Sequence, residues 1–117
     1  RRIAKAAAEM HGCTSEVKLM GAAESLKSDA ALIERCGKVC AEKLGLKATP
    51  PRSGAGASED YSYMVNRVRS HGGQGLFFST LTPCSGPFHS KIFDFQEEGM
   101  TSGVKVFCGM ACDLMGL

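Results

Sequence analysis

The sequence of 117 residues contains no long hydrophobic run. Its longest apolar stretch, from Val106 to Cys112, ends at Asp113 and is far shorter than the roughly 18 residues that a membrane-spanning helix needs. We therefore expect no transmembrane helix and no membrane partner. A strong charge imbalance is also missing, because 14 basic side chains face 12 acidic ones. Nucleic-acid binding normally requires a one-sided basic surface, so we expect no nucleic-acid partner.

An initiator methionine and an apolar signal core are lacking as well. The chain begins with Arg1-Arg2-Ile3-Ala4-Lys5, a sequence typical of the interior of a helix. We therefore interpret the chain as a C-terminal fragment. Its composition, 44% hydrophobic and 22% charged, is typical of a globular domain or a piece of one, and excludes a disordered tail.

Hydrophobic periodicity predicts four helices and two strands. The helices are expected at 2–10, 29–44 and 59–70 and after Asp94, and three of them have stop signals at Gly12, Gly45 and Gly72. Alternation predicts a half-buried strand at 15–20, and aromatic content predicts a buried strand at 74–80. The first of these strands would leave an unpaired edge through which the chain is expected to associate. The Pro- and Gly-containing range 48–57 is expected to be a loop. This order predicts an α/β layer architecture.

Finer expectations concern helix ends and helix faces. Ser28 and Asp29 offer an N-cap for the second helix, Ser58 offers one for the third, and Asp94 with Glu97 resembles a capping box. In the last helix, we expect one face to be buried, made of Met100, Val104, Phe107, Cys108, Ala111 and Met115.

Six cysteines are present, and four of them form two i, i+4 pairs on predicted helices, Cys36/Cys40 and Cys108/Cys112. Small buried hydrophobic residues occupy such positions, so we expect buried free thiols and a reducing cytoplasm as the compartment. A zinc site built from the two pairs and a set of disulfides remain as alternatives.

Only three histidines are available. His11 and His71 precede helix-stopping glycines, which favours a structural role. His89 lies in a loop between a predicted strand and a helix, where ligand sites of α/β proteins gather, although no second ligand has suitable spacing to it. The small-residue run 53–58 lacks the lysine of a phosphate-binding loop, so it is either a plain turn or a place where the backbone approaches a substrate closely.

Three motifs together resemble a known enzyme family. They are Gly56-Ala57-Ser58-Glu59-Asp60-Tyr61-Ser62-Tyr63-Met64, then His71-Gly72-Gly73, then His89-Ser90-x-x-Phe93-Asp94-Phe95 before the final helix. Their order and spacing are similar to the C-terminal part of the zinc-peptidase-like amidohydrolases of the aminoacylase/carboxypeptidase group. The closest branch is that of the aminobenzoyl-glutamate hydrolases and related N-acyl amino-acid amidohydrolases.

The resemblance implies a longer enzyme with an α/β catalytic domain interrupted by a smaller α+β lid domain that dimerises. Residues 1–25 would be the final helix and strand of the lid, and residues 26–117 would be the C-terminal part of the catalytic domain. His89 matches the last metal ligand of the family, whereas Gly56, Ser58 and Glu59 match a loop that borders the substrate. Lys91 and the loop at 82–85 depart from the family pattern, which leaves the substrate preference open.

The resemblance further implies two divalent ions, Mn²⁺ or Zn²⁺, and a substrate in which an amide joins an acyl group to an amino acid. The other ligands and the general base would belong to sequence outside this chain, so the fragment alone is expected to be inactive. Its expected partner is a second copy or the missing N-terminal portion. Two alternatives are a non-catalytic interaction module and a small cysteine-based zinc module.

Overall fold

The structure, a computed structural model, describes residues 1–49 and 59–117. In chain order its elements are α1 (Arg2–Met10), α2 (Ala30–Lys38) with a π-helical turn at Val39–Lys43, α3 (Tyr61–Ser70), β1 (Cys84–Ser85), β2 (Asp94–Phe95) and α4 (Gly99–Met115). The two short strands pair antiparallel. The fold is therefore mixed α and β, as predicted at that level.

All four predicted helices are present. The bounds of α1 are those predicted, and α1, α2 with its π turn, and α3 are each followed by a glycine of positive φ, Gly12, Gly45 and Gly72. This backbone conformation favours glycine over other residues and ends a helix. The stop signals in the sequence were therefore correct. Helix α3 begins at Tyr61, two residues later than predicted, and its expected cap Ser58 lies outside the described residues.

The strands predicted at 15–20 and 74–80 are wrong, since neither range forms a sheet ladder. Residues 15–20 are exposed throughout. In the second range, the N–H groups of Gly75 and Phe77 donate to the side chains of Asp29 and Ser28. Alternating apolar and polar residues indicate an extended, half-buried backbone. A strand also needs a neighbouring backbone with which it can form hydrogen bonds. The edge-strand association that was expected near residues 17–20 therefore has no strand to form it.

The core lies between α2 with its π turn and α4. Its buried members are Cys36, Val39, Cys40, Val106 and Met110. The second helix therefore contributes Cys36, Val39 and Cys40 to this core. At Gly109 a Cβ atom would lie 3.0 Å from Leu44 Cδ1, so glycine lets the two helices approach closely.

The predicted inward face of α4 is wrong. Val104, Phe107 and Met115 are 61%, 68% and 65% exposed, whereas Val106 and Met110 are buried. Apolar residues occupy most sides of this helix, so its sequence pattern does not specify which side faces the core. The predicted capping box is also wrong, because Asp94 and Phe95 form β2 and the helix begins only at Gly99.

Ion pairs fasten the end of α4 to the second helix. Asp113 accepts from Arg35 Nε and from Lys43 Nζ, both at 2.6 Å, and Arg35 Nη2 also donates to the Asp113 carbonyl at 2.6 Å. Lys43 lies in the π turn, so the turn contributes directly to this contact.

Burial of the thiols is confirmed only for Cys36 and Cys40. All six cysteines are free, and Cys13, Cys84, Cys108 and Cys112 are exposed. In the ranges 1–49 and 59–117, no helix combines the length and the apolar character that crossing a bilayer requires.

Candidate functional site

His89 lies at the tip of a hairpin that spans residues 82–96. At its base, Cys84 pairs with Phe95 and Ser85 with Asp94. Two further bonds extend the pairing, from Thr82 Oγ1 to the Gln96 carbonyl at 3.0 Å and from the Gln96 N–H to the Pro83 carbonyl at 3.1 Å. The hairpin therefore gives the loop of His89 a fixed base, although sequence reasoning predicted only a loop here.

The tip is a compact turn. Ser90 N–H donates to the Pro87 carbonyl and Phe93 N–H to the Ser90 carbonyl, both at 3.2 Å. At Gly86, whose φ is +69°, a Cβ atom would lie 2.9 Å from Ile92 Cγ1. The small residue that begins Gly86-Pro87-Phe88 is therefore required by the close approach of the returning chain.

His89 itself has a φ of +65°, the only positive φ at a residue other than glycine in the described ranges. This left-handed conformation is uncommon for a residue with a Cβ atom. Such conformations cluster at functional sites, so His89 is a candidate functional residue. The side chain is exposed, and no hydrogen-bond partner of its ring is found within the described part of the chain. Both ring nitrogens are thus accessible to a ligand.

A polar group without a partner lies next to His89. The Ser90 hydroxyl is buried, and none of the described residues forms a hydrogen bond with it. Aromatic side chains line the same hairpin, with ring centroids 5.1 Å apart for Phe88 and Phe93 and 6.4 Å apart for Phe93 and Phe95. The His-Ser motif therefore combines an accessible imidazole with a buried hydroxyl on an apolar base. The hydroxyl is a signal that sequence reasoning missed.

Glu59 is the one predicted substrate-loop residue that the structure describes, because Gly56 and Ser58 lie outside the described residues. It is exposed and stands just before α3, where its carbonyl accepts the Ser62 N–H at 3.1 Å. No hydrogen bond or ion pair between described residues joins Glu59 to His89. The structure places them on separate elements and does not bring them together by direct contact.

Helix α3, which begins two residues after Glu59, packs through one buried side. Ser62 and Val65 are 0% and 1% exposed. At Gly75 a Cβ atom would lie 2.7 Å from Val65 Cγ1, and Tyr61 Oη donates to the Leu76 carbonyl at 3.1 Å. The segment 74–78 is therefore the partner that fixes the start of α3.

The described residues supply one candidate metal ligand, His89. Nowhere in 1–49 or 59–117 do three or more His, Cys, Asp or Glu side chains come together. An exposed imidazole fits the donor chemistry of Zn²⁺ or Mn²⁺. A resident ion needs further ligands, and the described residues do not bring them to His89.

Known proteins match the chain over nearly its whole length. Identity is 25% over 114 residues to a homolog of one p-aminobenzoyl-glutamate hydrolase subunit in Haemophilus influenzae, covering 97% of this chain and 27% of that protein. It is 32% over 106 residues to an indole-3-acetyl-aspartic acid hydrolase of Enterobacter agglomerans, covering 90% and 24%. It is 30% over 106 residues to the corresponding p-aminobenzoyl-glutamate hydrolase subunit of Escherichia coli, again covering 90% and 24%.

These matches confirm the resemblance to the aminobenzoyl-glutamate hydrolase branch that the three sequence motifs indicated. The chain spans about a quarter of the length of the curated relatives it matches. No family profile matches the chain, and no solved structure matches it.

Proposed function

Building on this resemblance, we propose that the chain is part of a metal-dependent amidohydrolase that cleaves the amide between an acyl group and an amino acid. The observation that carries the proposal is the match of 90–97% of the chain to three relatives named as hydrolases. The names of these relatives describe conjugates of glutamate or aspartate. The proposed substrate is therefore an N-acyl amino acid, with aminobenzoyl-glutamate and indole-3-acetyl-aspartate as the first compounds to test.

His89 is the proposed metal ligand of this chain. Its imidazole is exposed, and the pairing of Cys84 with Phe95 and of Ser85 with Asp94 gives its loop a fixed base. When bound, two divalent ions, Mn²⁺ or Zn²⁺, would lower the pKa of a water molecule and polarise the scissile carbonyl. The remaining ligands and the general base would come from polypeptide outside this chain, so the chain alone is proposed to be inactive.

Gly56, Ser58 and Glu59 are proposed to border the substrate. Glu59 supports this role through its position, because it is exposed and lies two residues before α3, whose inner residues Ser62 and Val65 are buried. A residue at the exposed start of a firmly packed helix can hold a substrate group in a reproducible place. Its role is supporting and not catalytic.

The proposed domain boundary divides the end of a lid domain, residues 1–25, from part of a catalytic domain, residues 26–117. The contacts of the described residues support this boundary, because the backbone changes from exposed to hydrogen-bonded near it. Residues 14–21 are exposed, whereas Asp29 and Ser28 are bonded to the segment 74–78.

The exposed apolar side of α4 supports the proposal that another polypeptide covers this helix. Its apolar members are Met100, Val104, Phe107, Leu114 and Met115, which are 53–68% exposed. An exposed apolar surface of this extent typically marks a protein–protein contact. We assign this face to the remainder of the proposed enzyme, since the relatives are about four times longer than the matched segment. A second copy of the chain is the other proposed partner, and the free thiols favour a reducing compartment such as the cytoplasm.

The decisive experiment uses the complete protein that contains this chain. Purified with Mn²⁺ or Zn²⁺, it should hydrolyse aminobenzoyl-glutamate or indole-3-acetyl-aspartate. His89→Ala should lower kcat/KM by at least about 100-fold, because loss of a ligand weakens the metal site. His11→Ala, which changes an exposed imidazole at the end of α1, is the matched control and should retain activity. Full activity of the His89→Ala protein would reject the ligand assignment.

A non-catalytic interaction module is the second candidate, and the apolar side of α4 is the observation that favours it. The two candidates separate in the same experiment. An interaction module would show no hydrolysis in the complete protein, whereas the chain would still bind a partner through Val104 and Phe107.

A further inference from the structure

Residues 22–29 lie along α3, and side chains spaced three residues apart on that helix hold them. The bonds, in order along the helix, are Tyr63 Oη to the Ala22 carbonyl at 2.9 Å, Asn66 Nδ2 to Glu24 Oε2, and Arg69 Nη1 to the Lys27 carbonyl at 3.2 Å. Positions three apart lie on neighbouring parts of one helix side. The segment therefore runs beside α3 in the same direction as the helix.

Three further contacts hold the far end of this segment. Asp29 Oδ1 lies 3.5 Å from Arg69 Nε, and Asp29 Oδ2 accepts the Gly75 N–H at 2.8 Å. Ser28 Oγ accepts the Phe77 N–H at 2.9 Å. Arg69 thus contacts both Lys27 and Asp29, the residue before α2, so one side chain joins α3 to the start of α2.

Residues 14–21 differ sharply from this segment. Every one of them is exposed. Within the described ranges, their hydrogen bonds and ion pairs do not reach another element, and the ion pair of Lys18 with Glu16 is local. A Cβ atom added at Gly21 would meet nothing within 4 Å. The change from an unattached to an attached backbone falls between Gly21 and Ala22.

We infer that Tyr63, Asn66 and Arg69 form a polar clamp that fixes residues 22–29 to α3, so that residues 1–21 move relative to the remainder about residues 14–21. The clamp begins at the N-terminal turn of α3, close in sequence to Glu59. If the domain boundary proposed above holds, the clamp fixes residues 22–25 of the lid to α3, and the pivot lies N-terminal to them. The clamp itself stands on these contacts and does not require the hydrolase activity.

None of the three clamp bonds is deeply buried, because Tyr63 and Arg69 are exposed and Asn66 is half-buried. Exposed polar contacts are individually weak. The clamp therefore acts through the sum of its bonds, and removing only one of them should loosen the segment in part. The sequence predicts that Ser28 and Asp29 cap α2, yet the Asp29 side chain makes no cap bond to that helix. It contacts Arg69 and Gly75 instead. These partners are distant in sequence, so the local sequence pattern does not predict the clamp.

Limited trypsin digestion of the chain tests the clamp, because Lys18 lies in the unattached range and Lys27 lies in the clamped one. Proteolysis needs local opening of the backbone, so cleavage after Lys18 should be at least about tenfold faster than cleavage after Lys27. In the Tyr63→Phe, Asn66→Ala, Arg69→Gln triple variant, this ratio should fall towards one. Arg67→Gln, on the same helix but outside the clamp, should keep the original ratio.

Equal cleavage at Lys18 and Lys27 in the unchanged chain would overturn the inference, as would an unchanged ratio in the triple variant. Amide hydrogen exchange of α3 (Tyr61–Ser70) monitors whether the helix survives the substitutions. If it does not, Asn66→Ala alone decides: a smaller ratio supports the clamp and an unchanged one rejects it. Neither readout depends on catalysis, so an inactive complete enzyme would count against the proposed function and leave the clamp standing.

Discussion

Asp29 and Gly75 exchange two hydrogen bonds across 46 positions of the sequence. The Asp29 N–H donates to the Gly75 carbonyl at 2.9 Å, and the Gly75 N–H donates to Asp29 Oδ2 at 2.8 Å. Gly75 is buried against Val65 of α3. This one pair therefore ties the start of α2, the extended segment 74–78 and the inner side of α3 to one another.

Substitution of Gly75 should expose how tightly this junction is packed. A Cβ atom there would lie 2.7 Å from Val65 Cγ1, and valine has little rotamer freedom in a helix. Gly75→Ala should lower the free energy of unfolding by about 1–3 kcal/mol, as overpacking usually does. Gly37→Ala is the matched control, because nothing lies within 4 Å of a Cβ atom at that helical position. It should raise stability by about 0.5–1 kcal/mol, and urea denaturation measures both changes.

Asp113 should make stability depend on pH in the acid range. The Lys43 ammonium and then the Arg35 guanidinium hold the pKa of Asp113 below its ordinary value of 3.8. The unfolded chain therefore binds a proton more readily than the folded one, so the contribution of Asp113 is present above pH 3.8 and is lost as the pH falls through the lowered pKa. Asp113→Asn should flatten the acid limb of a plot of unfolding free energy against pH, whereas Glu97→Gln should leave that limb in place. An unchanged acid limb in Asp113→Asn would contradict this assignment.

The thiol of Cys36 should make stability depend on pH in the opposite sense, at alkaline pH. Burial, reinforced by the neighbouring Cys40, raises the pKa of Cys36 from its ordinary 9.0 to about 11. Below pH 9 the thiol is protonated in both states; between pH 9 and 11 the unfolded chain ionises first, so stability should fall as the pH rises. Replacing Cys36 by valine should reduce this loss, and replacing the exposed Cys84 should not. A slope that survives in Cys36→Val would contradict the raised pKa.

Thiol alkylation gives a separate measurement of the same burial. At neutral pH the native chain should react at four thiols, those of Cys13, Cys84, Cys108 and Cys112, and at all six after denaturation. Rapid reaction of Cys36 or Cys40 in the native state would show that the α2 and α4 contact opens readily.

The exposed side of α4 should be neutral for the stability of the chain but essential for pairing with a partner. Val104 is 61% exposed, so Val104→Lys should change the free energy of unfolding of the chain by no more than about 0.5 kcal/mol, as for most surface substitutions. In the complete protein the same change should be strongly destabilising, because it would bury a charge. Val106→Lys, at a buried position of the same helix, should destabilise both forms. Equal behaviour of Val104→Lys in both forms would argue against a covered α4 face.

The local sequence determined where the helices lie and where three of them stop, because a helix needs only its own periodicity and a residue that tolerates positive φ, as at Gly12, Gly45 and Gly72. It also determined the resemblance to a hydrolase branch, because the order of the three motifs is a property of the chain itself. The tertiary structure decided which side of α4 faces the core, since apolar residues occupy most sides of this helix and only the position of α2 distinguishes Val106 from Phe107. It decided, too, that the side chain of Asp29, which stands at the predicted N-cap position of α2, bonds to Gly75 and not to the helix, and that His89 lies on a hairpin. Each of these outcomes depends on a partner that is distant in sequence or on the return of the chain after a turn. A local sequence pattern does not specify such contacts.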